Sequence, residues 1–267
     1  MGTPPVARIA SLVQDLPALP AAAQRALALL SDPATEPEQL QEALARDQAL
    51  ALQTLRLANS AFYRRNREIS TLSNAVVVLG FRTIQTLLLS CAAQRVIAAA
   101  GDLAEQLWGH SFAAAAACRE FASELRWGAV EREEAFLAGL FHDLGKGVIA
   151  SRFPGIYGDT EGAEGERAAL GFDHGELGRV LLEQWKIPEA LSGAVGTHHG
   201  TSPSPLGCLI VAGEWLAWGV ADGVGGPPPE RPSALLSAYG VGPEGLGEIL
   251  ARVKLALEEE SGPHELC

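Results

Sequence analysis

Six histidines occur in the chain, and five of them fall between positions 110 and 199. They are His110, His142, His174, His198 and His199, and Asp143 directly follows His142. Neutral imidazole and carboxylate are donor types that hold divalent transition metals such as Fe, Mn, Zn or Ni. Lys146 lies one helical turn beyond Asp143, where its ammonium offers a point charge to a phosphate oxygen. A second group is basic: Arg56, Arg64, Arg65 and Arg67 bracket the segment Ala58-Asn59-Ser60-Ala61-Phe62-Tyr63. Arginine contacts phosphate and carboxylate bidentately. With Asn59, these residues read as a docking surface for a protein partner or an anionic nucleotide. They read equally as a solvated charged loop, with Asn59, Phe62 and Tyr63 packing two halves of the chain together.

The elements that must position these groups read as helices. A helix from Leu103 to about Leu125 carries His110. A second, from Glu133 to about Phe153, carries a stripe of Leu137, Leu140, Phe141, Leu144 and Val148 at the spacing of a buried face. Neighbouring residues on a helix diverge by about 100°, so His142 and Asp143 there address adjacent metal ions or flank one. Glycine-rich, acidic Gly155 to Gly165 reads as a surface loop. Asp173 and Glu176 form a capping box that makes His174 the first residue of a helix. Pro188 opens the next helix, which His198 and His199 close before Gly200. Leu206 to Val220 is the last long apolar helix of this half. Helices that point histidine and carboxylate into a shared core are a known way to build a metal site.

Upstream, short helices are expected over Pro20 to Leu30, after a capping box at Thr35 and Glu38, and after Ser70-Thr71, with an interruption at Gly80. A break at Gly101-Asp102 divides a helical region over 6–100 from a second over 101–222. A Gly/Pro-rich linker over 223–233, terminal helices over 234–258 and a flexible tail over 259–267 complete the expected organisation.

Composition agrees with an all-α fold, because alanine and leucine dominate a chain that is 48% hydrophobic and 19% charged. The formal net charge of −12 repels phosphate backbones and disfavours general nucleic-acid binding. Cys91, Cys118, Cys208 and Cys267 form no C-x-x-C pair and read as reduced thiols. No charged-then-apolar leader pattern opens the sequence. Leu206 to Ala221, read as the longest apolar stretch, is interrupted by Glu214 and shorter than the roughly 20 residues of a spanning helix. No membrane span and a cytoplasmic location are therefore expected.

The order His110, His142-Asp143-Leu144-Gly145-Lys146, His174, His198-His199 resembles the HD superfamily of metal-dependent phosphohydrolases and its HD-GYP branch. The segments LPALPAAAQRALALLSDP, RDQALALQTLRLANSAFY, ISTLSNAVVVLGFRTIQTLLLS and FLAGLFHDLGKGVIASRFP are similar to the HDOD family, the HD-related output domain. The resemblance spans roughly Val13 to Val220. It implies an N-terminal helical bundle packed on a C-terminal HD-like helical core, and a regulatory part in bacterial signal transduction. It implies no general enzymatic activity, since family members differ in how much of the metal site they keep. This chain lacks the GYP motif. Gln106 stands one turn before His110, where HD-GYP relatives carry a glutamate ligand. The aspartate of the closing VAD motif is replaced in Val211-Ala212-Gly213. Glu214 follows but points about 100° away on a helix, and Asp222 is a later substitute. Two lost carboxylates favour one or two metal ions over three.

Two functions follow. One is a regulatory module that binds signalling proteins or a nucleotide, cyclic ones included, with its His/Asp pocket holding a metal. The other is a metal-dependent phosphohydrolase or phosphodiesterase acting on a nucleotide, with His110, His142, Asp143, His174, His198 and His199 as ligands and Asp143 and Lys146 in catalytic roles.

Overall fold

The computed structural model describes residues 9, 11–12, 21–30, 32, 34–59, 69–159, 162–200, 204–221, 223 and 232–260. Among these, every regular element is a helix. The chain gathers into two compact units, Ala18–Arg95 and Val96–His264.

In the first unit, α1 (Ala21–Leu30), α2 (Pro37–Ala45), α3 (Gln48–Ala58) and most of α4 (Leu72–Ala98) enclose a leucine-rich core. Leu40, Leu44, Leu50, Val76, Ile84 and Leu88 are buried in it. The capping box before α2 is built by Glu36 and Gln39, one residue later than the expected Thr35 and Glu38. Thr35 instead donates its hydroxyl to Leu29 O at 2.6 Å, which closes the preceding turn. Asp47 caps α3 by accepting from Ala49 N and Leu50 N. The longest apolar helix is α4, not the stretch after Leu206, with a mean hydropathy of 1.7 over its most apolar window. By length and composition alone it could cross a membrane, yet 44% of that window is buried inside the protein. Gly80, at φ 74°, breaks helical geometry within it.

The second unit holds the histidines. After a short 3-10 turn (Gly101–Leu103) come α5 (Ala104–Glu124), α6 (Ala129–Phe141), α7 (Leu144–Arg152), α8 (Ile156–Asp159), α9 (Gly162–Leu170), α10 (His174–Gln184), α11 (Glu189–Thr197) and α12 (Pro205–Ala217). Two further helices, α13 (Ser233–Ala238) and α14 (Pro243–Glu260), belong to the same unit. Ile249 and Val253 of α14 pack with Phe121 of α5 and Leu216 of α12.

Two expectations are corrected here. The long helix over residues 133–153 is broken into α6 and α7, with His142 and Asp143 in the turn between them. The expected loop over 155–165 contains α8 and the start of α9.

The backbones that carry the histidines approach unusually closely, and small residues permit it. A Cβ added at Gly139 of α6 would sit 2.6 Å from Ala114 O, and one at Gly213 of α12 would sit 2.6 Å from Cys118 Sγ and 3.0 Å from Ala114 O. The alanine run of α5 is thus a flat face onto which α6 and α12 settle. A Cβ at Gly145 of α7 would collide with the backbone of His174 at the start of α10. Interiors at crystal-like density do not admit that extra atom without a shift.

Candidate metal centre

The close contacts of α5, α6 and α12 bring His110, His142 and Glu214 together. One ligand atom from each lies within 4.8 Å of the others. On the other side, the start of α10 and the end of α11 bring His174, His198 and His199 within the same limit. Asp143 stands between the two triads. Its Oδ1 is 3.4 Å from His142 Nε2 and 3.4 Å from His174 Nε2, and its Oδ2 is 4.0 Å from His110 Nε2. His142 and Asp143 lie in the turn between α6 and α7, and both reach the cluster from there. All the sequence-predicted metal residues therefore meet in one place.

Each imidazole is oriented from behind. His142 Nδ1 faces Gly139 O at 2.7 Å, His198 Nδ1 faces Val195 O at 2.6 Å, and His110 Nδ1 faces Ala221 O at 3.2 Å. A carbonyl oxygen only accepts, so each Nδ1 carries the proton and donates it. The Nε2 lone pairs are left facing inward, the arrangement in which histidines ligate metals. His174 is held by Glu166, whose Oε2 accepts from both its Nδ1 and its backbone N at 2.7 Å. Tyr157 O–H donates to the other oxygen of Glu166 at 2.8 Å. His199 Nε2 lies 2.9 Å from His174 Nε2, and since His174 Nδ1 holds the proton of that ring, His199 donates.

Burial sets the charge states. It pushes the His142, His174 and His198 imidazoles below the usual histidine range, and His199 follows. They are neutral and ready to donate electron pairs. Burial alone would raise the Asp143 carboxyl, but the Lys146 ammonium bonded to it holds it well below the usual carboxylate range. Glu214 has no such ammonium bonded to it, and burial with the nearby Asp143 charge pushes it up to about 7. Lys146 is only 3% exposed, and its Nζ donates to Asp143 Oδ2 at 2.9 Å. Its charge is spent on Asp143 rather than offered to a phosphate.

The donor set fits a transition metal. His142 Nε2, His198 Nε2 and Asp143 Oδ1 are buried without a hydrogen-bond partner. Orphaned buried acceptors are costly, and a cation is the group that would satisfy lone pairs aimed at one another.

Three contributors escaped the sequence. On a regular helix Glu214 is expected to point about 100° away from the position of the missing aspartate. The structure reverses that: Gly213 is the residue pressed against α5, and Glu214 faces the histidines. Tyr157 lies on a short helix inside the segment expected as a loop, and Glu166 lies on α9 just beyond it. A helix start at Gly162 with Glu166 eight residues before His174 carries no spacing signal that reveals the contact. Gln106 does not face the triads as a ligand but donates to Gly223 O at 2.9 Å. Asp222 lies outside the described residues, as do Arg64, Arg65 and Arg67 of the basic segment. Arg56 is exposed on α3. Asn59 is a clamp: its Nδ2 donates to Leu55 O and Ile69 O, and its Oδ1 accepts from Ile69 N.

Residues 16–201 match the HDOD domain family. A relative from Treponema pallidum (strain Nichols), described only as uncharacterized, is 26% identical over 211 residues, which are 74% of this chain and 40% of the relative. The chain thus spans less than half the length of that relative. Among solved structures, a candidate phosphohydrolase from Shewanella amazonensis SB2B is 27% identical with a TM-score of 0.73, over 98% of each chain. A candidate signal transduction protein from Marinobacter aquaeolei VT8 has the same TM-score at 22% identity, over 96% of this chain and 64% of that one. At that identity the likeness concerns the fold. A single family model accounts for the larger part of the sequence, across both the leucine-rich unit and the histidine cluster, and the chain belongs to the HDOD family.

Proposed function

We propose that this protein is a metal-holding regulatory module of signal transduction, which passes on its state by binding a protein partner. The observation that carries this reading is a site complete in metal donors whose one lysine is bonded to its central carboxylate. His110, His142, Asp143 and His174 are fully buried and His198 is 2% exposed, while His199 reaches the surface. His110, His142 and Glu214 would hold one ion, His174, His198 and His199 a second, with Asp143 between them. A bound ion of Fe, Mn, Zn or Ni supplies Lewis acidity and ties helices together. The chain's own groups do the rest: the backbone carbonyls and Glu166 fix the rings, and Lys146 keeps Asp143 ionised. No lysine or arginine among them is left to receive a phosphate ester.

A second reading, a phosphohydrolase, is favoured by one observation, the placement of two triads on either side of a single carboxylate. The Shewanella relative carries that name. Purified full chain separates the two. Elemental analysis is expected to give one or two equivalents of metal, lost in Asp143→Ala. Bis(p-nitrophenyl) phosphate, cyclic mononucleotides and cyclic dinucleotides are expected to remain intact. Turnover that Asp143→Ala abolishes would transfer the assignment to the enzyme, and metal-free protein would sink both readings.

A further inference from the structure

Beside the metal centre, within the same unit, lies a cavity of about 710 Å³. That is the size of sites that take small organic ligands, roughly 300–1,000 Å³. Its walls come from the 3-10 turn, the start of α5, the end of α7, α8 and Gly223. The residues that matter are Asp102, Gln106, Ser151, Phe153, Tyr157 and Gly223.

The polar wall groups present acceptors. Asp102 brings a carboxylate. Ser151 donates its hydroxyl hydrogen to Val148 O at 2.8 Å, which leaves its oxygen to accept. Gln106 spends one Nε2 hydrogen on Gly223 O, and its Oε1 is left to accept. Tyr157 commits its O–H to Glu166. Phe153 and Tyr157 add aromatic surface. No lysine or arginine lines the cavity among the described residues, and the chain carries a net charge of −12. Such a wall repels phosphates and attracts N–H donors.

The same wall touches the supports of both triads. On one side, Tyr157 bonds Glu166, and Glu166 bonds His174 Nδ1. On the other, Gln106 holds Gly223, where a Cβ would come within 3.1 Å of His110 Cε1. Ala221, two residues earlier, accepts from His110 Nδ1. Groups that orient ligating histidines tune metal affinity, so a molecule that shifts Tyr157 or Gly223 reaches the metal donors without contacting them.

We infer that this cavity binds a small, flat ligand with N–H donors and no negative charge, and that its occupancy is coupled to the metal centre through Tyr157 and Glu166. This rests on the metal-holding reading for the coupling, and on the cavity alone for the binding. It names the class of input to the regulatory module.

The test uses benzamidine and its anionic counterpart benzoate as probes on the full chain, by ligand-observed NMR and calorimetry. Benzamidine is expected to bind at least tenfold more tightly than benzoate. Ala99→Trp, which fills the cavity wall, is expected to abolish benzamidine binding and leave metal content unchanged. Zn²⁺ affinity is expected to change about fivefold or more on adding benzamidine, and by reciprocity benzamidine affinity changes by the same factor with Zn²⁺. Tyr157→Phe keeps the ring but severs the bond to Glu166, so it is expected to retain benzamidine binding and lose that coupling. Equal binding of both probes, binding that survives Ala99→Trp, or coupling that survives Tyr157→Phe overturns the inference. If the protein takes up metal but not benzamidine, the cavity inference falls alone. If it takes up benzamidine but no metal, the metal-holding reading falls and the coupling with it.

Discussion

Glu166 shows how much a residue can matter without touching a metal. It is fully buried, and burial raises its carboxyl above the ordinary range. It accepts three hydrogen bonds, from Tyr157, His174 N and His174 Nδ1. The last fixes both the tautomer and the plane of the His174 ring. Glu166→Gln keeps the shape but has only one acceptor oxygen for three donors. Loss of such a support typically costs about 10- to 100-fold in metal affinity. That loss is expected in chelator-competition titrations, with the helical circular dichroism unchanged. Affinity within threefold of the parent chain would remove Glu166 from the site. The exchange at positions 213 and 214 follows similar residue-scale logic. A side chain at 213 would strike Cys118 and Ala114, so the residue that packs is glycine and the carboxylate stands one position on. Glu214 still reaches His110 and His142.

At the scale of elements, Asn59 is the sharpest case. Its amide closes the chain between α3 and α4 with bonds of 3.0, 2.7 and 2.8 Å to Leu55 O, Ile69 O and Ile69 N. Asn59→Ala leaves partly buried backbone groups unpaired and is expected to cost about 1–3 kcal/mol, read as a lower unfolding midpoint. Partner binding lost in that variant would then report a loosened unit rather than a missing contact, whereas an unchanged midpoint would return Asn59 to the docking surface. How far elements were legible depended on whether their signal was local. The Asp173/Glu176 box and Pro188 act over three or four residues, and the structure places α10 and α11 where they point. The break at His142-Asp143 was hidden because Leu137, Leu140, Phe141, Leu144 and Val148 keep helical spacing straight across it. Periodicity reports which side faces inward, not whether backbone hydrogen bonds continue. Glycine and acidic residues make 155–165 look like a loop, yet Tyr157 within it bonds Glu166 just beyond it, and Glu166 bonds His174, contacts that no local pattern encodes. The histidine cluster itself was legible because few residue types can do its chemistry.

For the whole molecule, the metal-holding reading links folding, metal and protons, and puts Glu214 at that link near neutral pH. The chain's net charge of −12 draws cations toward it. Once there, an ion needs deprotonated donors. Burial already holds the His142 and His174 rings well below the usual histidine range, in the neutral form that can ligate. Glu214, raised to about 7, has a proton to release. Its folded value lies above the unfolded one of about 4.3. The stability it contributes is therefore fully present below about pH 4.3 and is lost as pH rises through about 7. The imidazoles act in the opposite sense: their folded values are depressed, so their contribution is complete above about pH 6.5 and is lost in acid. A metal that takes the Glu214 carboxylate must displace its proton below pH 7, which weakens apparent affinity roughly tenfold per pH unit. The rise in unfolding midpoint on adding Zn²⁺ to chelator-treated protein is thus expected to be larger at pH 8 than at pH 6. Calorimetry at pH 6 in buffers of different ionisation heat is expected to show about one proton released per ion bound at that triad. Glu214→Gln has no proton to release, and both differences are expected to vanish with it. The same pH dependence in Glu214→Gln as in the parent chain would mean that Glu214 faces the histidines without ligating beside them.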